Sequence, residues 1–236
     1  MYAWDQLFAL TASLLALASP AITNRVSNAA QVPAVSVAQH VVPVATFRSV
    51  ELRHGGRVTV RQGSSQRVTI LSDDTTCVRI TIERGDRLII DHKSKCAQDE
   101  RLQVEVIATH LDAVAVSNGG VMQTLGSFTN QRELAVAVAE GGMLDIRSMS
   151  VQNVTAAVYS GGRIFTKPQA SLVAAVAHGG AITFWGSVQV TQSVSQGGVV
   201  VQGDPADADK PLVDSDYQRK FVPTVPPEKP ASSVPE

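Results

Sequence analysis

The sequence predicts an all-β protein: a parallel β-solenoid (β-helix) capped by a charged antiparallel β region. Three observations carry this. Twelve of the 17 glycines occur as Gly-Gly pairs. From Gly119 onward the pairs recur at spacings of 22, 20, 18 and 18 residues. The residues flanking them fall into fixed columns, and a period near twenty marks a stacked architecture.

The columns are explicit in the segments Ala115-Val-Ser-Asn-Gly-Gly-Val-Met, Ala137-Val-Ala-Glu-Gly-Gly-Met-Leu, Ala157-Val-Tyr-Ser-Gly-Gly-Arg-Ile, Ala175-Val-Ala-His-Gly-Gly-Ala-Ile and Ser193-Val-Ser-Gln-Gly-Gly-Val-Val. Val116, Val138, Val158, Val176 and Val194 share one column; Met122, Leu144, Ile164, Ile182 and Val200 share another. Alternation around each pair has the period of a strand, not of a helix. Each coil must bend sharply to close. The structural turns are therefore expected at Gly119-Gly120, Gly141-Gly142, Gly161-Gly162, Gly179-Gly180 and Gly197-Gly198, where glycine supplies positive φ or close backbone approach. Gly126 and Gly186, each six residues after a pair, mark a candidate second corner. Gly-Gly hairpins in an antiparallel sandwich are the competing reading, but a sandwich has no reason to repeat side chains at one period.

The other segments follow in chain order. Residues 1–21 fit a signal peptide, with an apolar run from Leu7 to Ala18 and small residues at two cleavage positions, although Asp5 stands where a basic residue is usual. The run is too short to span a bilayer, and a buried helix is the alternative. Residues 22–46 form a linker or first strand. Residues 47–110 hold most of the charge: eleven Lys/Arg and nine Asp/Glu lie between Arg48 and His110, against eight charges between Leu111 and Gly203. Their alternating segments read as strands with one wet face, with a hairpin turn at Glu83-Arg-Gly-Asp-Arg87. This portion is expected to cap one open end of the 111–203 repeats, whose strand edges are otherwise unpaired. Residues 204–236 hold seven of the eleven prolines and seven of the 21 acids. They read as a disordered tail that guards the other end.

Composition excludes some functions. A net charge of −1 argues against a general nucleic-acid binder, and 5% aromatics against a rich stacking platform. Cys77 and Cys96 can form one disulfide in an exported chain, worth ~3 kcal/mol. Two thiols without clustered histidines are too few for zinc, and no cofactor fingerprint is present.

The run Phe47-Arg-Ser-Val-Glu-Leu, then Gly-Asp-Arg-Leu-Ile-Ile at 85–90, Leu102-Gln-Val-Glu-Val-Ile, Leu111-Asp-Ala-Val-Ala-Val and the Gly-bearing segments resemble, in that order, the bacterial family called putative auto-transporter adhesin, head GIN domain. The resemblance covers 47–203. It implies a right-handed β-solenoid exported to the cell envelope, in the periplasm, on the outer-membrane surface or outside the cell. It implies no enzymatic activity and no catalytic residues.

Three functions follow. The first is a non-enzymatic envelope protein whose rigid solenoid supports adhesion, with an envelope protein or glycan as partner and no transmembrane span in the mature chain. The second is a polysaccharide-acting enzyme, for which Glu140 and Asp145, with Arg147 nearby, are the best acids between 111 and 203. The third is an interaction module that uses the charged cap. The residues before the glycine pairs, Asn118, Glu140, Ser160, His178 and Gln196, form a polar surface ladder. A catalytic triad is not expected there, because Ser160 rather than His178 takes the central place. Trp185 is expected either to pack at a corner or to stack outward on a sugar.

Overall fold

The structure, a computed structural model, describes residues 39–72, 75–93 and 102–210. The signal peptide expected at 1–21, most of the 22–46 linker, Cys96 and residues 211–236 lie outside the described residues.

The strands follow in order: β1 (His40–Val42), β2 (Ser49–Arg53), β3 (Arg57–Gln62), β4 (Arg67–Ile70), β5 (Val78–Glu83), β6 (Arg87–His92), β7 (Gln103–Ala108), β8 (Ala113–Val116) and β9 (Val121–Leu125). They continue with β10 (Gln131–Ala139), β11 (Met143–Asp145), β12 (Val151–Tyr159), β13 (Arg163–Thr166), β14 (Ser171–Ala177), β15 (Ala181–Phe184), β16 (Gln189–Val194) and β17 (Val199–Gln202). Among the described residues the helical structure is one 3-10 turn, Pro205–Asp207.

The protein is all-β, with its strands in two mixed sheets. One is ordered β1-β4-β7-β3-β9-β11-β13-β15-β17, and the other β16-β14-β12-β10-β8-β2-β6-β5. Each glycine pair carries the chain from the second sheet to the first, so that β8–β9, β10–β11, β12–β13, β14–β15 and β16–β17 form successive rungs. The rungs pair in parallel. Val116 sits beside Val138, Val138 beside Val158, Val158 beside Val176 and Val176 beside Val194. Met122, Leu144, Ile164, Ile182 and Val200 align the same way in the other sheet. Alternate residues turn inward, and the two columns meet in one core from Val50 to Ile182. Burying one such Val or Ile is worth about 1.5–3 kcal/mol.

Two expectations need correction. First, 47–110 is not antiparallel throughout. His54-Gly55-Gly56 makes a corner like the later ones, so β2 and β3 run parallel to β8 and β9 with Val50 beside Val114 and Val58 beside Met122. Outside that rung lie β6 and β7, again parallel. Among the described residues, antiparallel pairing is confined to β1 on β4, β4 on β7 and β5 on β6. A wet-faced alternating strand looks the same in sequence whichever way its neighbour runs. The hairpin turn between β5 and β6 does fall at Arg84 and Gly85, with φ of 53° and 87°.

Second, the tail does not begin at 204. Asp204–Lys210 turns back across the outer face of the first sheet. The Trp185 indole N–H donates to the Asp204 carbonyl at 2.8 Å, and Lys167 pairs with Asp209 at 2.9 Å. Arg147 donates to the carbonyls of Asp207 at 2.9 Å and Lys210 at 3.0 Å. These seven residues pass three rungs on their way from the end they were expected to guard. Prolines and acids mark the segment as polar, but the aromatic and guanidinium groups that hold it come from distant rungs.

Candidate functional site

Three surfaces carry the polar chemistry. The first is the column of corners. Asn118, Glu140, Ser160, His178 and Gln196 all adopt positive φ, from 48° to 56°, as does His54 at 59°. The glycine after each is also left-handed, with Gly161 at 83°. Two consecutive left-handed residues make a tight turn that only a glycine-bearing pair takes cheaply. The second glycine of each pair meets a different demand. A Cβ on Gly180 would lie 2.1 Å from Val158 Cγ1, and one on Gly162 would lie 2.4 Å from Val138 Cγ1. The corner therefore packs its backbone onto the valine of the preceding rung.

Backbone hydrogen bonds tie the corners together. Gly119 N–H donates to the Glu140 carbonyl and Gly141 N–H to the Ser160 carbonyl, each at 3.1 Å. Glu140 and His178 are exposed, and the His178 ring meets the exposed Tyr159 edge-on at 4.7 Å. Ser160 lies between Glu140 and His178 in rung order, so the column does not assemble a nucleophile, base and carboxylate in working sequence.

The second surface is the outer face of the second sheet. In the middle rungs it is built of small residues. Ala115, Ala137, Ala157 and Ala175 line a shallow groove of about 460 Å³, with Tyr159 at its rim. Toward β5 the face becomes charged. Glu51 accepts from Arg53 at 2.6 Å and Arg87 at 3.4 Å, and Arg53 also reaches Glu83 at 3.9 Å. Asp91, only 7% exposed, takes Arg79 at 2.5 Å on one oxygen and His54 Nδ1 at 2.7 Å on the other. Burial raises the Asp91 carboxyl, but hydrogen bonds from His54 and Arg79 outweigh it and hold the pKa below the usual value. Arg48 grips Asp112 with two bonds of 2.5 and 3.0 Å, and that hydrogen bonding lowers the Asp112 carboxyl. Most of these pairs join neighbouring strands. Much of the charge at this end therefore ties strands together.

The third surface centres on Arg147. Its guanidinium takes both oxygens of Asp145, at 2.9 and 2.8 Å, and lies 5.9 Å from the Phe165 ring centre and 5.1 Å from that of Trp185. Its side chain is 7% exposed. Asp145 and Arg147 thus anchor the 204–210 segment, and Glu140 remains at a corner. Trp185 is 5% exposed beneath that segment, so it offers no outward ring. Sequence reasoning missed Arg147 as an anchor. Its signal was faint: Arg147, Lys167 and Trp185 recur at spacings of 20 and 18.

Cys77 sits in the turn before β5, and Cys96 lies outside the described residues. Among the described residues no group of three or more His, Cys, Asp or Glu could hold a metal ion. No helix among them is long and apolar enough to cross a membrane.

The fold and these surfaces define a class: a two-sheet all-β protein whose strands stack in register across glycine corners. Within that class, the chain belongs to the family described as putative auto-transporter adhesin, head GIN domain, whose model matches residues 46–184. Among solved structures, the chain is similar to a putative adhesin from Bacteroides fragilis, with 15% identity, a TM-score of 0.48, and coverage of 72% of this chain and 97% of that one. A putative adhesin from Parabacteroides distasonis gives 14% identity and a TM-score of 0.40 over 70% and 96% of the two chains. A putative lipid binding protein from the same species gives 10% identity and a TM-score of 0.33 over 71% and 96%. No curated protein matches the chain.

Proposed function

We propose that the protein is an exported, non-enzymatic component of the cell envelope, whose rungs wind as a right-handed β-solenoid and form a rigid head for adhesion or surface contacts. The family match over 46–184 carries this reading, because the family's description names an adhesin and not an enzyme class. The stacked columns support the rigid head: each rung is held by its neighbours on both sheets, which suits a scaffold that displays contacts without changing shape. Residues 1–21 act as the export signal, and Cys77 pairs with Cys96 once outside the cytosol. The strands before β8 serve as the closed end of the stack. The partner is an envelope protein or a glycan. Polysaccharide cleavage is the less favoured alternative: of its two candidate acids, Asp145 has both oxygens on Arg147 and Glu140 stands at an exposed corner.

Cell fractionation with mass spectrometry of the native N-terminus and the cysteine pair tests the reading. A mature end near Ser19 or Ile22 with Cys77 linked to Cys96 is expected. An intact Met1 with both thiols reduced in the cytosol would remove export and adhesion together.

A further inference from the structure

The two ends of the rung stack differ. At the β16–β17 end both sheets stop, since β16 and β17 close the two strand orders. In a parallel ladder a residue's N–H and C=O point to the same neighbour, and successive residues alternate. Gln189 and Ser195 N–H donate to the rung before, as do those of Val199 and Gly203. The outward-pointing groups are therefore the N–H and C=O of Val190, Gln192, Val194, Val200 and Gln202. Among the described residues no strand pairs with that edge.

Natural edges are blunted by charge, proline or bulges. This one has none of the first two: residues 186–203 hold no Asp, Glu, Lys, Arg or Pro. Val194 is 43% exposed although it continues a buried column, and Val199 and Val201 beside it are 50% and 41% exposed. The 204–210 segment leaves this end rather than covering it. At the other end the antiparallel β5 closes the second sheet, and the first sheet ends in the antiparallel β4 with the three-residue β1 paired outside it. The matched family region stops at residue 184, before the last rung begins.

We propose that the β16–β17 edge is a docking surface for a second copy of this chain. The two copies meet end to end about a two-fold axis along the sheet normal. That axis sets β16 antiparallel to β16 and β17 antiparallel to β17, and keeps the inward rows of both copies facing one core. The last rung presents the backbone groups and inward row that each earlier rung presents to the next, here met by an antiparallel instead of a parallel neighbour. A head-to-tail contact would not repeat the parallel pairing of the rungs, because β5 at the far end of the second sheet runs antiparallel to them, whereas the two-fold contact is self-complementary and closes at two. Gln192 is the polar member of the inward row, and its amide both donates and accepts across a two-fold. The contributing stretch, residues 189–203, is shorter than the 20–30 residues a side of a standard interface. The dimer is accordingly weak and concentration-dependent.

Sedimentation equilibrium on the full chain, with hydrogen exchange at the same concentrations, tests this. Well above about 50 µM, the order of dissociation constant expected for a small interface, the mass should approach twice the 25.0 kDa of one chain, less any cleaved leader. It should fall to a single chain on dilution. The amides of Val190, Gln192, Val194, Val200 and Gln202 should gain protection as the dimer forms. The double variant Gln192→Lys, Val194→Lys should weaken association at least tenfold while keeping the parent's circular dichroism. If that variant unfolds, the concentration dependence of amide protection in the parent decides alone. A chain that is single at all concentrations overturns the proposal, as does assembly beyond two. Edge amides protected equally at every concentration would also overturn it, by showing that the chain covers its own edge.

Discussion

A corner of this protein asks two things of its glycines, and the two can be separated by substitution. At Gly179 nothing lies within 4 Å of an added Cβ, but φ is +83°. Gly179→Ala should cost about 1–2 kcal/mol, the penalty of a left-handed L-residue. At Gly180 the backbone is ordinary but the space is filled, with Val158 Cγ1 at 2.1 Å and the Gly162 carbonyl at 3.1 Å. Gly180→Ala should cost about 1–3 kcal/mol through overpacking. Adding Val158→Ala to Gly180→Ala should then recover part of that cost, whereas adding it to Gly179→Ala should not. Denaturant unfolding of the single and double variants reads this, and strict additivity at both corners would refute the steric account. Asp91 gives a second test. Its depressed carboxyl contributes stability above the unfolded value of about 3.9, and that stability is lost as pH falls through the folded pKa. Asp91→Asn should therefore lower stability at pH 7 by about 1–3 kcal/mol and flatten the acid limb below about pH 4. An acid limb identical to the parent's would show that the carboxylate contributes nothing.

At the scale of elements, the 204–210 segment behaves as a strap held by Trp185, Lys167 and Arg147, with Arg147 making the most contacts. Arg147→Lys keeps the charge but loses the planar fork that serves Asp145 and the carbonyls of Asp207 and Lys210 together. The strap should open, with faster proteolysis after 203 and a red-shifted Trp185 emission, while the core strands hold. A variant as resistant as the parent would place the anchor elsewhere. This element also shows what the sequence could and could not reveal. Val138, Val158 and Val176 were readable as a column because each has its twin about twenty residues away and pairs with it. The corner glycines were readable for the same reason. The neighbour of Val114 on its other side is Val50, 64 residues away and out of any period. No local pattern reveals that β6 and β7 are laid outside β2 and β3 after the chain has passed them. The strap was hidden because its composition is that of a tail and its partners are scattered over three rungs. The residues before the glycine pairs line up by the sequence period alone, but the Asp91 cluster has no such signal, since His54 reaches it from a corner and Arg79 from β5.

Across the whole molecule, stability should be graded along the stack, because each rung touches only its neighbours. A middle rung is covered on both sides, and Val158 is 3% exposed. The last rung is covered on one side, and Val194 in the same column is 43% exposed. Val158→Ala therefore removes methyl groups from a closed core and should cost about 2 kcal/mol or more. Val194→Ala removes them from a half-open one and should cost well under half as much. Native-state hydrogen exchange on the dilute chain should show the same gradient. The ladder amides of β16 and β17 should exchange first, those of β14 and β15 next, and those of β8 and β10 only with global unfolding. The two measurements constrain each other. Equal costs for the two valines with one uniform exchange class would mean that the stack melts as a single unit, and that the inter-rung contacts are too strong for fraying to begin at the open end. Unequal costs with ordered exchange would mean that opening starts at β16–β17, the edge where a second chain gains most by adding a rung.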